Sequence, residues 1–451
     1  MVSTQLNSHR IFNTWWPLAA SWLLMGIELP MISAVIARLE YPEISLAAYG
    51  GIIFPLALII ESPIIMLLAA STALSKDWPS FVKIRRFMMI TSAILTGLHA
   101  LIVFTPLYYV IVEQLFGAPQ VIVEPARIGL MIMLPWTWAI AYRRFHQGML
   151  IRFGHSKSVS VGSVIRLGAD LLILAIGYFI NDISGVIVAT CAVVSGVVCE
   201  AIYVGIISRP VINYELKPTP TVLPVLTWRA FFSFYIPLVM TSLLSLLVQP
   251  IGSAALSRMP HPVESLAAWA VVSGLVFMFR SAGIAYNEVV VALLEEYQAA
   301  KKLWSFAIKL ILVTSGIWLL IIATPISTFW FQTISALPVY LAELAKTGIW
   351  ITLPMPALAV LQSWYQGALL HSHKTKGITE AVVVYLFSNI ATLTLGVLSG
   401  AVIGIYIGLA SFVFSTFLQT VWLWYRSQGA IKSVYQRDEF VISIPPAEIV
   451  S

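Results

Sequence analysis

Apolar runs long enough to cross a lipid bilayer follow one another along almost the whole of this 451-residue chain. A membrane-spanning helix needs about 20 mainly apolar residues. Here 59% of the residues are hydrophobic and only 10% are charged, against about 25% charged residues in typical soluble domains. The chain is therefore expected to be an all-α polytopic membrane protein without a large soluble domain.

Polar breaks divide the apolar sequence into twelve predicted spans, six on each side of a proline-rich segment at 211–227. That segment suits a cytoplasmic linker between a six-helix bundle at 1–210 and a second at 228–427. A cytoplasmic tail at 428–451 is expected to be a peripheral helix or disordered. The predicted spans are residues 12–38, 43–74, 84–112, 122–151, 160–181, 184–208, 229–258, 264–294, 303–333, 338–370, 378–399 and 401–426.

Lysine and arginine residues concentrate in alternate loops, and such loops remain in the cytoplasm. Both termini are therefore expected to be cytoplasmic, in a plasma membrane of the bacterial inner-membrane type. The net charge of +6 is interpreted as this orientation signal and not as a nucleic-acid surface. The basic residues of these loops are Lys76, Lys83, Arg85, Arg86, Arg152, Lys157, Arg209, Lys217, Lys301, Lys302, Lys374 and Lys376.

The two halves of the sequence repeat one another. At an offset of 220 residues, "PLAASWLLMGIELPMISAVIARLEYPEISLAA" aligns without a gap with "PLVMTSLLSLLVQPIGSAALSRMPHPVESLAA". At an offset of 219, "LPWTWAIAYRRFHQGMLIRFGHSK" aligns with "LPMPALAVLQSWYQGALLHSHKTK". An even number of crossings separates the matches, which predicts two parallel six-helix repeats, an architecture that transporters use for rocking motions about a central path. Pro30 and Pro250, at matching depths, are expected to kink their helices.

Short motifs at matching places carry a resemblance to a known family. "PL" opens spans one and seven, "SLAAY" and "SLAAW" begin spans two and eight, and "QGxLxxxxxxK" ends spans four and ten. With the 6+6 arrangement, these motifs resemble the multidrug/oligosaccharidyl-lipid/polysaccharide (MOP) flippase superfamily. Its multidrug and toxin extrusion (MATE) members exchange organic cations for sodium or protons.

Within the superfamily, four motifs are most similar to the progressive ankylosis protein group. They are "LAAYG" from Leu46, the pair Ser62-Pro63, "NEV" from Asn287 and "HQGMLIRFGHSKS" from His146. This resemblance implies export of small anions such as citrate, nucleotides or pyrophosphate.

Charged residues inside apolar spans are candidates for function, because each costs at least about 2.5 kcal/mol on insertion scales. Arg280, in the middle of span eight, is predicted to lie in the substrate cavity, since a guanidinium suits carboxylate or phosphate. The repeat places it opposite Ile60, beside Glu61. Glu61 and Glu28, each two residues before a proline, are predicted to couple transport to protons or sodium. The alternative for all three charged residues is a structural ion pair or hydrogen-bonded group.

Arg166 and Asp170 are four residues apart on span five, so they share a helix face and are expected to pair directly. The repeat sets them opposite Tyr385 and Asn389, which are uncharged. Arg166 is predicted to line the cavity and Asp170 to take part in coupling. A structural pair near the cytoplasmic end of the span is the alternative.

Arg143 and Arg144 lie in "AYRRFHQGML", where the repeat places Gln362 and Ser363. Either one of these arginines contacts substrate, or both sit at the cytoplasmic interface. Neighbouring helical residues point about 100° apart, so at most one of them can face a cavity squarely.

Three further expectations concern polar residues elsewhere. Glu200, in span six, is expected to pack or to snorkel toward the interface. His371 and His373 are not expected to bind a metal, because no carboxylate lies near them in the sequence. The remaining predicted site residues are Asn287, Gln249 and Gln362 for the cavity and Glu288 for coupling.

The sequence thus predicts a monomeric secondary active transporter in the lipid bilayer. It would work by alternating access and export a small organic anion with H⁺ or Na⁺ as coupling ion and no other cofactor. An enzyme is not expected, because no P-loop, zincin motif or triad-like cluster is present. The alternatives are a MATE-type organic cation antiporter, a flippase for a lipid-linked polyphosphate, and a channel or scaffold that does not transport.

Overall fold

A computed structural model of the chain describes residues 6–296, 298–372 and 374–443, and these residues are nearly all helical, as predicted. His373 and the end of the predicted tail, 444–451, lie outside the described residues. The helices are α1 Ser8–Ile36, α2 Pro42–Ala47, α3 Phe54–Ile65, α4 Leu67–Leu74, α5 Trp78–Phe104, α6 Leu107–Tyr109, α7 Gln120–Ile132, α8 Leu134–Arg152, α9 Ser156–Ile180, α10 Gly185–Val211, α11 Trp228–Leu246, α12 Val248–Leu256, α13 Pro262–Leu293, α14 Ala299–Ala323, α15 Ile326–Thr328, α16 Val339–Gly348, α17 Met355–His371, α18 Lys376–Ser399 and α19 Gly404–Ser443.

Short π-helical and 3₁₀ turns join several of these helices. The π turns at Val110–Leu115 and Phe329–Ile334 lie at corresponding places of the repeat. The other turns are the π turns Ala48–Ile53 and Ile212–Leu216 and the 3₁₀ turn Ile349–Thr352.

Within the described chain, ten helical segments are long and apolar enough to cross a membrane. An eleventh is the pair Val339–Thr352 and Met355–His371, which is bent by 41°. The twelfth predicted span, 122–151, corresponds to α7 and α8, which are separated only by Met133. The charges of this pair make it less apolar than the others, and the repeat matches it to the bent pair.

Two helices extend past the predicted ends of their bundles. The helical chain that begins with α10 continues through the π turn to Leu216, so the predicted linker at 211–227 is helical over its first residues. Likewise α19 extends to Ser443, so the described part of the predicted tail is a direct continuation of the last span. In both places the helix runs on because neither segment contains a proline before that point; the single glycine, Gly429, weakens the helix without ending it.

Prolines lie close to several helix breaks, because proline lacks a backbone N–H and its ring crowds the preceding turn. The expected disruption at Pro250 is confirmed as a break at Leu247, between α11 and α12. A similar break at Met66 follows Pro63. In contrast, α1 runs as one α-helix through Pro30.

The repeated Gln-Gly motif marks two close helix contacts. A side chain at Gly148 of α8 would collide with the Leu68 carbonyl of α4 and would lie 2.7 Å from Ser71 Cβ. Gly367 of α17 has the same role against α13, where an added Cβ would lie 2.6 Å from Val290 Cγ1. Glycine allows such close approach of membrane helices. The motif therefore fixes how α8 and α17 pack.

The described chain forms two compact units. Unit 1 contains residues up to Met31 and from Val271 onward, and unit 2 is Ile32–Ala270. Their boundaries differ from those of the sequence halves, because the first part of α1 packs in unit 1 and α11 and α12 pack in unit 2. The division into bundles at 1–210 and 228–427 follows the sequence repeat. That these bundles are structural domains stays a prediction.

Hydrogen bonds within each unit account for these placements. In unit 1, Trp15 Nε1 of α1 donates to the Ala282 carbonyl of α13 at 2.9 Å. In unit 2, the Tyr235 hydroxyl of α11 donates to the Pro63 carbonyl of α3 at 2.5 Å. The Pro63 carbonyl lies in the last turn of α3, before the break at Met66, where helix carbonyls lack an intrahelical N–H partner and can accept such a bond.

Candidate functional site

Unit 2 gathers charged side chains from four membrane helices in its interior. Three arginines and three carboxylates take part, joined by one glutamine. Isolated charges would be unstable in such apolar helices, so their convergence provides mutual neutralisation. This charged cluster consists of Glu61 of α3, Arg143, Arg144 and Gln147 of α8, Arg166 and Asp170 of α9, and Glu200 of α10.

Glu200 is the hub of the charged cluster. Its side chain is 0% exposed and forms a salt bridge with Arg143, which is itself 6% exposed. Gln147 Nε2 donates to Glu200 Oε1 at 2.9 Å, and Arg166 Nε lies 3.7 Å from Glu200 Oε2. One carboxylate thus links α8, α9 and α10.

These contacts bear on two expectations. Of the two alternatives for Glu200, packing is the one observed, because its carboxylate is enclosed by three partners. Arg143 is buried against Glu200, whereas Arg144 is half-buried, and contact of either arginine with substrate stays a prediction. Arg143 and Gln147 are four residues apart on α8 and so reach the same partner.

Asp170 is enclosed beside this hub. It is 0% exposed, and a side chain at Gly196 of α10 would collide with its carboxylate. Gly196 lies one turn before Glu200 on α10, and Arg166 lies one turn before Asp170 on α9. The structure therefore places Arg166, Asp170 and Glu200 together, with the glycine making room for the second carboxylate.

Glu61 forms the other end of the cluster. It is 2% exposed, and its Oε1 has no hydrogen-bond partner among the residues that the structure describes. Arg143 and Arg144 of α8 are the cations that act on it electrostatically. Within the described chain, Arg144 Nε is likewise buried without a hydrogen-bond partner. The sequence prediction that Glu61 is a mid-span acid is confirmed; its coupling role stays a prediction.

Unit 1 contains a neutral counterpart of the hub. Gln362 Nε2 of α17 donates to Gln419 Oε1 of α19 at 3.0 Å and to the Thr416 carbonyl at 3.3 Å. At the offset of 219 residues, these two glutamines correspond to Arg143 and Glu200. The same two helix positions are therefore joined by an ion pair in unit 2 and by an amide pair in unit 1.

The equivalents of Arg166 and Asp170 in unit 1 are also neutral. Asn389 Nδ2 of α18 donates to Ser411 Oγ of α19 at 2.9 Å, and Tyr385 lies one turn earlier on α18. Asn389 is buried, as Asp170 is. The positions that hold charged side chains in unit 2 thus hold amide and hydroxyl side chains in unit 1.

Arg280 of α13 is the exception in unit 1. The centre of its guanidinium lies 5.2 Å from the centroid of the Phe412 ring, and Tyr385 is the polar group that acts on it electrostatically. Among the described residues Arg280 has no ion pair, and its buried Nε has no hydrogen-bond partner. An aromatic ring attracts a cation but does not neutralise it.

The other predicted site residues are distributed between the units. In unit 1, Asn287 Nδ2 donates to the Ser363 carbonyl at 3.3 Å, and the exposed Glu288 accepts a hydrogen bond from Trp22 Nε1 at 3.1 Å. Glu28 is half-buried on α1, also in unit 1, whereas Gln249 is half-buried on α12 in unit 2.

Glu200 and Gln147 are the two members of the charged cluster that the sequence does not single out as site residues. Two signals were present. Glu200 interrupts the apolar run "VVCEAIYV", and the repeat pairs it with another polar residue, Gln419. Neither signal identifies its partner, since Arg143 is 57 residues away in the sequence.

The arrangement suits binding and proton or ion exchange. Protonation of a carboxylate in the charged cluster would change the net charge of the cluster. The guanidinium of Arg280 could bind an anion through two N–H groups. Both features depend on side chains placed inside membrane helices, where electrostatic effects are strong.

Comparison with known proteins identifies the fold. The lipid II flippase MurJ, in an inward closed conformation, superimposes with a TM-score of 0.70 and 16% identity over 95% of this chain and 93% of its own. An inward-facing multidrug resistance MATE family transporter of the MOP superfamily gives a TM-score of 0.64 with 16% identity over 92% and 99%.

A third solved structure is a MOP superfamily transporter from Pyrococcus furiosus, for which a reverse polarity of the binding pocket is described as suggesting a different function. It gives a TM-score of 0.52 and 14% identity, covering 96% of this chain and all of that one (100%). No family model matches the chain, and no curated protein sequence matches it. The chain has the MATE-like fold of MOP transporters, as predicted, while the resemblance to the progressive ankylosis group stays a prediction.

Proposed function

We propose that this protein is a secondary active transporter that moves a small organic anion across a bacterial inner membrane by alternating access. The carrying observation is Arg280, a guanidinium within a membrane helix that lacks an ion-pair partner among the described residues. A charge inside an apolar membrane helix is unfavourable without compensation, so the half-buried Arg280 favours an anion supplied by the substrate.

The fold supports the mechanism. Its structural neighbours include transporters captured in inward closed and inward-facing conformations. Both termini lie in the cytoplasm in this proposal, and H⁺ or Na⁺ is the coupling ion. Glu61 and Asp170 are the proposed coupling groups, because both are buried carboxylates in the interior of unit 2.

A second candidate function is flipping of a lipid-linked anion. The observation that favours it is the TM-score of 0.70 with a lipid II flippase, which exceeds the 0.64 obtained with the MATE transporter. An arginine would serve a polyphosphate head group as well as a soluble anion. The two functions differ in whether the transported molecule must be anchored in the bilayer.

Uptake into proteoliposomes tests the proposal. The panel contains a monocarboxylate, citrate, ATP, tetraphenylphosphonium and a lipid-linked pyrophosphate, each with and without a proton or sodium gradient. We expect saturable, gradient-dependent movement of a soluble anion, reduced at least about tenfold by Arg280→Ala, which corresponds to about 1.4 kcal/mol of lost interaction.

The matched control is Lys309→Ala, which removes an exposed cation from α14 of the same unit. It should leave uptake unchanged. If only the organic cation moved, and Arg280→Ala left its uptake intact, the proposal would be wrong. Movement of only the lipid-linked compound would favour the flippase.

Coupling is tested separately. Glu61→Gln should abolish the dependence of uptake on the driving gradient if Glu61 carries the coupling ion, and Asp170→Asn is tested in the same way. Unchanged gradient dependence in both variants would exclude these two carboxylates as coupling groups.

A further inference from the structure

Helix α13, which carries Arg280, contacts several other helices of unit 1. The first helix packs against one side of α13, since a Cβ at Gly26 would lie 3.3 Å from Met278 Cα and one at Gly274 would lie 3.3 Å from Pro30 Cδ. Arg280 is six residues after Gly274 and therefore points about 120° away from it, toward Phe412 of α19.

The helices on the Arg280 side, α18 and α19, present uncharged groups. Phe412 and Tyr385 contact or act on the guanidinium, and the next turn holds the Asn389 and Ser411 pair. Asn389 Oδ1 and Ser415 Oγ are buried without hydrogen-bond partners among the described residues. Arg280 therefore adds one positive charge to a region of hydroxyl, amide and aromatic groups.

Other charged side chains of unit 1 have different roles. Glu380 of α18 pairs with Arg426 of α19 at 3.0 Å, and both side chains are 40% exposed. Glu288 is exposed and binds Trp22. Among the described residues, the group that acts electrostatically on Arg280 is Tyr385 and neither of these two carboxylates.

The arginines of unit 2 are compensated internally. Arg143, Arg144 and Arg166 share the charged cluster with Glu61, Asp170 and Glu200, so three positive charges face three negative ones when all the carboxylates are ionised. A substrate anion would have to compete with these carboxylates. At Arg280, in contrast, a substrate anion would not have to displace a carboxylate of the described residues.

We infer that the transported anion is an organic monoanion, such as a monocarboxylate, whose single charged group is held by Arg280. This inference rests on the proposed function and narrows its substrate class. One guanidinium neutralises one negative charge, and its fork binds both oxygens of a carboxylate. Each further charge of citrate, ATP or pyrophosphate would enter the same neutral region without a partner, which costs several kcal/mol per ion in a protein interior.

Competition in proteoliposomes tests the charge limit. Uptake of radiolabelled benzoate is measured against unlabelled benzoate, succinate, citrate and pyrophosphate at equal concentrations. We expect benzoate to compete at least about tenfold better than any of the multivalent anions. Arg280→Lys, which keeps the charge and loses the fork, should raise the KM for benzoate while preserving this preference.

The repeat supplies a variant that changes the charge count. Tyr385 corresponds to Arg166 in unit 2, so Tyr385→Arg places an arginine where the fold already accommodates one. It should shift the ratio of succinate to benzoate uptake toward the dianion by at least about tenfold. Lys309→Ala, which changes one exposed charge of α14 away from Arg280, is the control and should leave the ratio unchanged.

The outcomes separate this inference from the proposed function. If multivalent anions are transported and benzoate is not, the monoanion assignment is wrong and anion transport stands. The same conclusion follows if Tyr385→Arg is folded, as judged by size-exclusion chromatography, but does not change the ratio of succinate to benzoate uptake. If no anion moves, both fail. Benzoate selectivity that follows the number of arginines supports the inference.

Discussion

At the scale of residues, the pairing of Arg143 with Glu200 is best understood beside its counterpart in the repeat. Gln362 and Gln419 join the equivalent helices with a 3.0 Å hydrogen bond and no charge. The fold therefore does not require an ion pair at this position. A buried ion pair often stabilises no more than a neutral pair would, so helix packing alone does not require the charges of Arg143 and Glu200.

Glu200→Ala is expected to destabilise the protein by about 3 kcal/mol, because it leaves Arg143 buried without its partner. Arg143→Gln combined with Glu200→Gln should recover most of that stability, since it rebuilds the amide pair. Thermal unfolding followed by size-exclusion chromatography measures both. Equal stability of Glu200→Ala and the wild-type protein would contradict the central role of Glu200 in the cluster.

At the scale of elements, glycines decide which helices can approach one another. Gly148 brings α8 against the Leu68 carbonyl of α4, and Gly196 brings α10 against Asp170 of α9. Helix α8 carries Arg143, so the position of the charged cluster depends on these contacts. In contrast, Gly168 of α9 is exposed, and an added Cβ there would meet nothing within 4 Å.

Gly148→Ala is expected to lower the melting temperature clearly, because the new methyl group would force α8 away from the backbone of α4. Gly168→Ala is the matched control and should be neutral or stabilising by up to about 1 kcal/mol, the difference in helix propensity. Thermal unfolding of both variants tests this pair. Similar melting temperatures for the two would show that α8 and α4 do not pack as described.

The linker after α10 is tied to the start of α5 by Asp77. Its carboxylate accepts hydrogen bonds from the N–H groups of Ser80 at 2.9 Å and Val222 at 2.7 Å, and Lys83 donates to the Leu226 carbonyl. Burial alone would raise the pKa of Asp77, but the hydrogen bonds from Ser80 and Val222 outweigh it, so this pKa lies below its ordinary value.

The lowered pKa gives a pH dependence with a definite sign. The ionised carboxylate should stabilise the linker contact fully above the unfolded pKa of about 3.9, and this contribution should disappear as the pH falls through the lower, folded pKa. At pH 7, Asp77→Asn should therefore speed hydrogen exchange at 217–227, and the difference from wild type should shrink at acidic pH.

Asp182→Asn, at an exposed turn, is the control for this exchange experiment and should not change the linker. Exchange of 217–227 that is identical in Asp77→Asn and wild type at pH 7 would argue against the contact with Val222.

At the scale of the whole molecule, the distribution of basic loops predicts which side each loop faces. Green fluorescent protein fused to either terminus should fluoresce, as it does in the cytoplasm, and alkaline phosphatase fused after Asp182 should be active. Activity of the phosphatase when it is fused instead at Lys157 would reverse the predicted orientation.

The helical spans and the repeat could be predicted from the sequence, because hydropathy and short motifs are local signals. The positions of Arg280, Glu61 and Asp170 inside helices could be predicted for the same reason. The partners of Glu200 could not, since contact between α8, α9 and α10 depends on helix packing. The twelve spans in two repeats were predicted from the residues and the MATE-like fold from the resemblance of short motifs; the neighbours at TM-scores of 0.64 and 0.70 support this fold.

The sequence by itself determined that the chain is a bundle of membrane helices built from two parallel repeats, and which charges lie within those helices. Lipid requires every backbone polar group to be bonded within a helix, so length and hydropathy are sufficient for that conclusion. Only the tertiary structure decided which charges compensate one another. It enclosed Glu200 among Arg143, Gln147 and Arg166 and left Arg280 against Phe412, because ion pairing depends on distances between helices that are far apart in sequence.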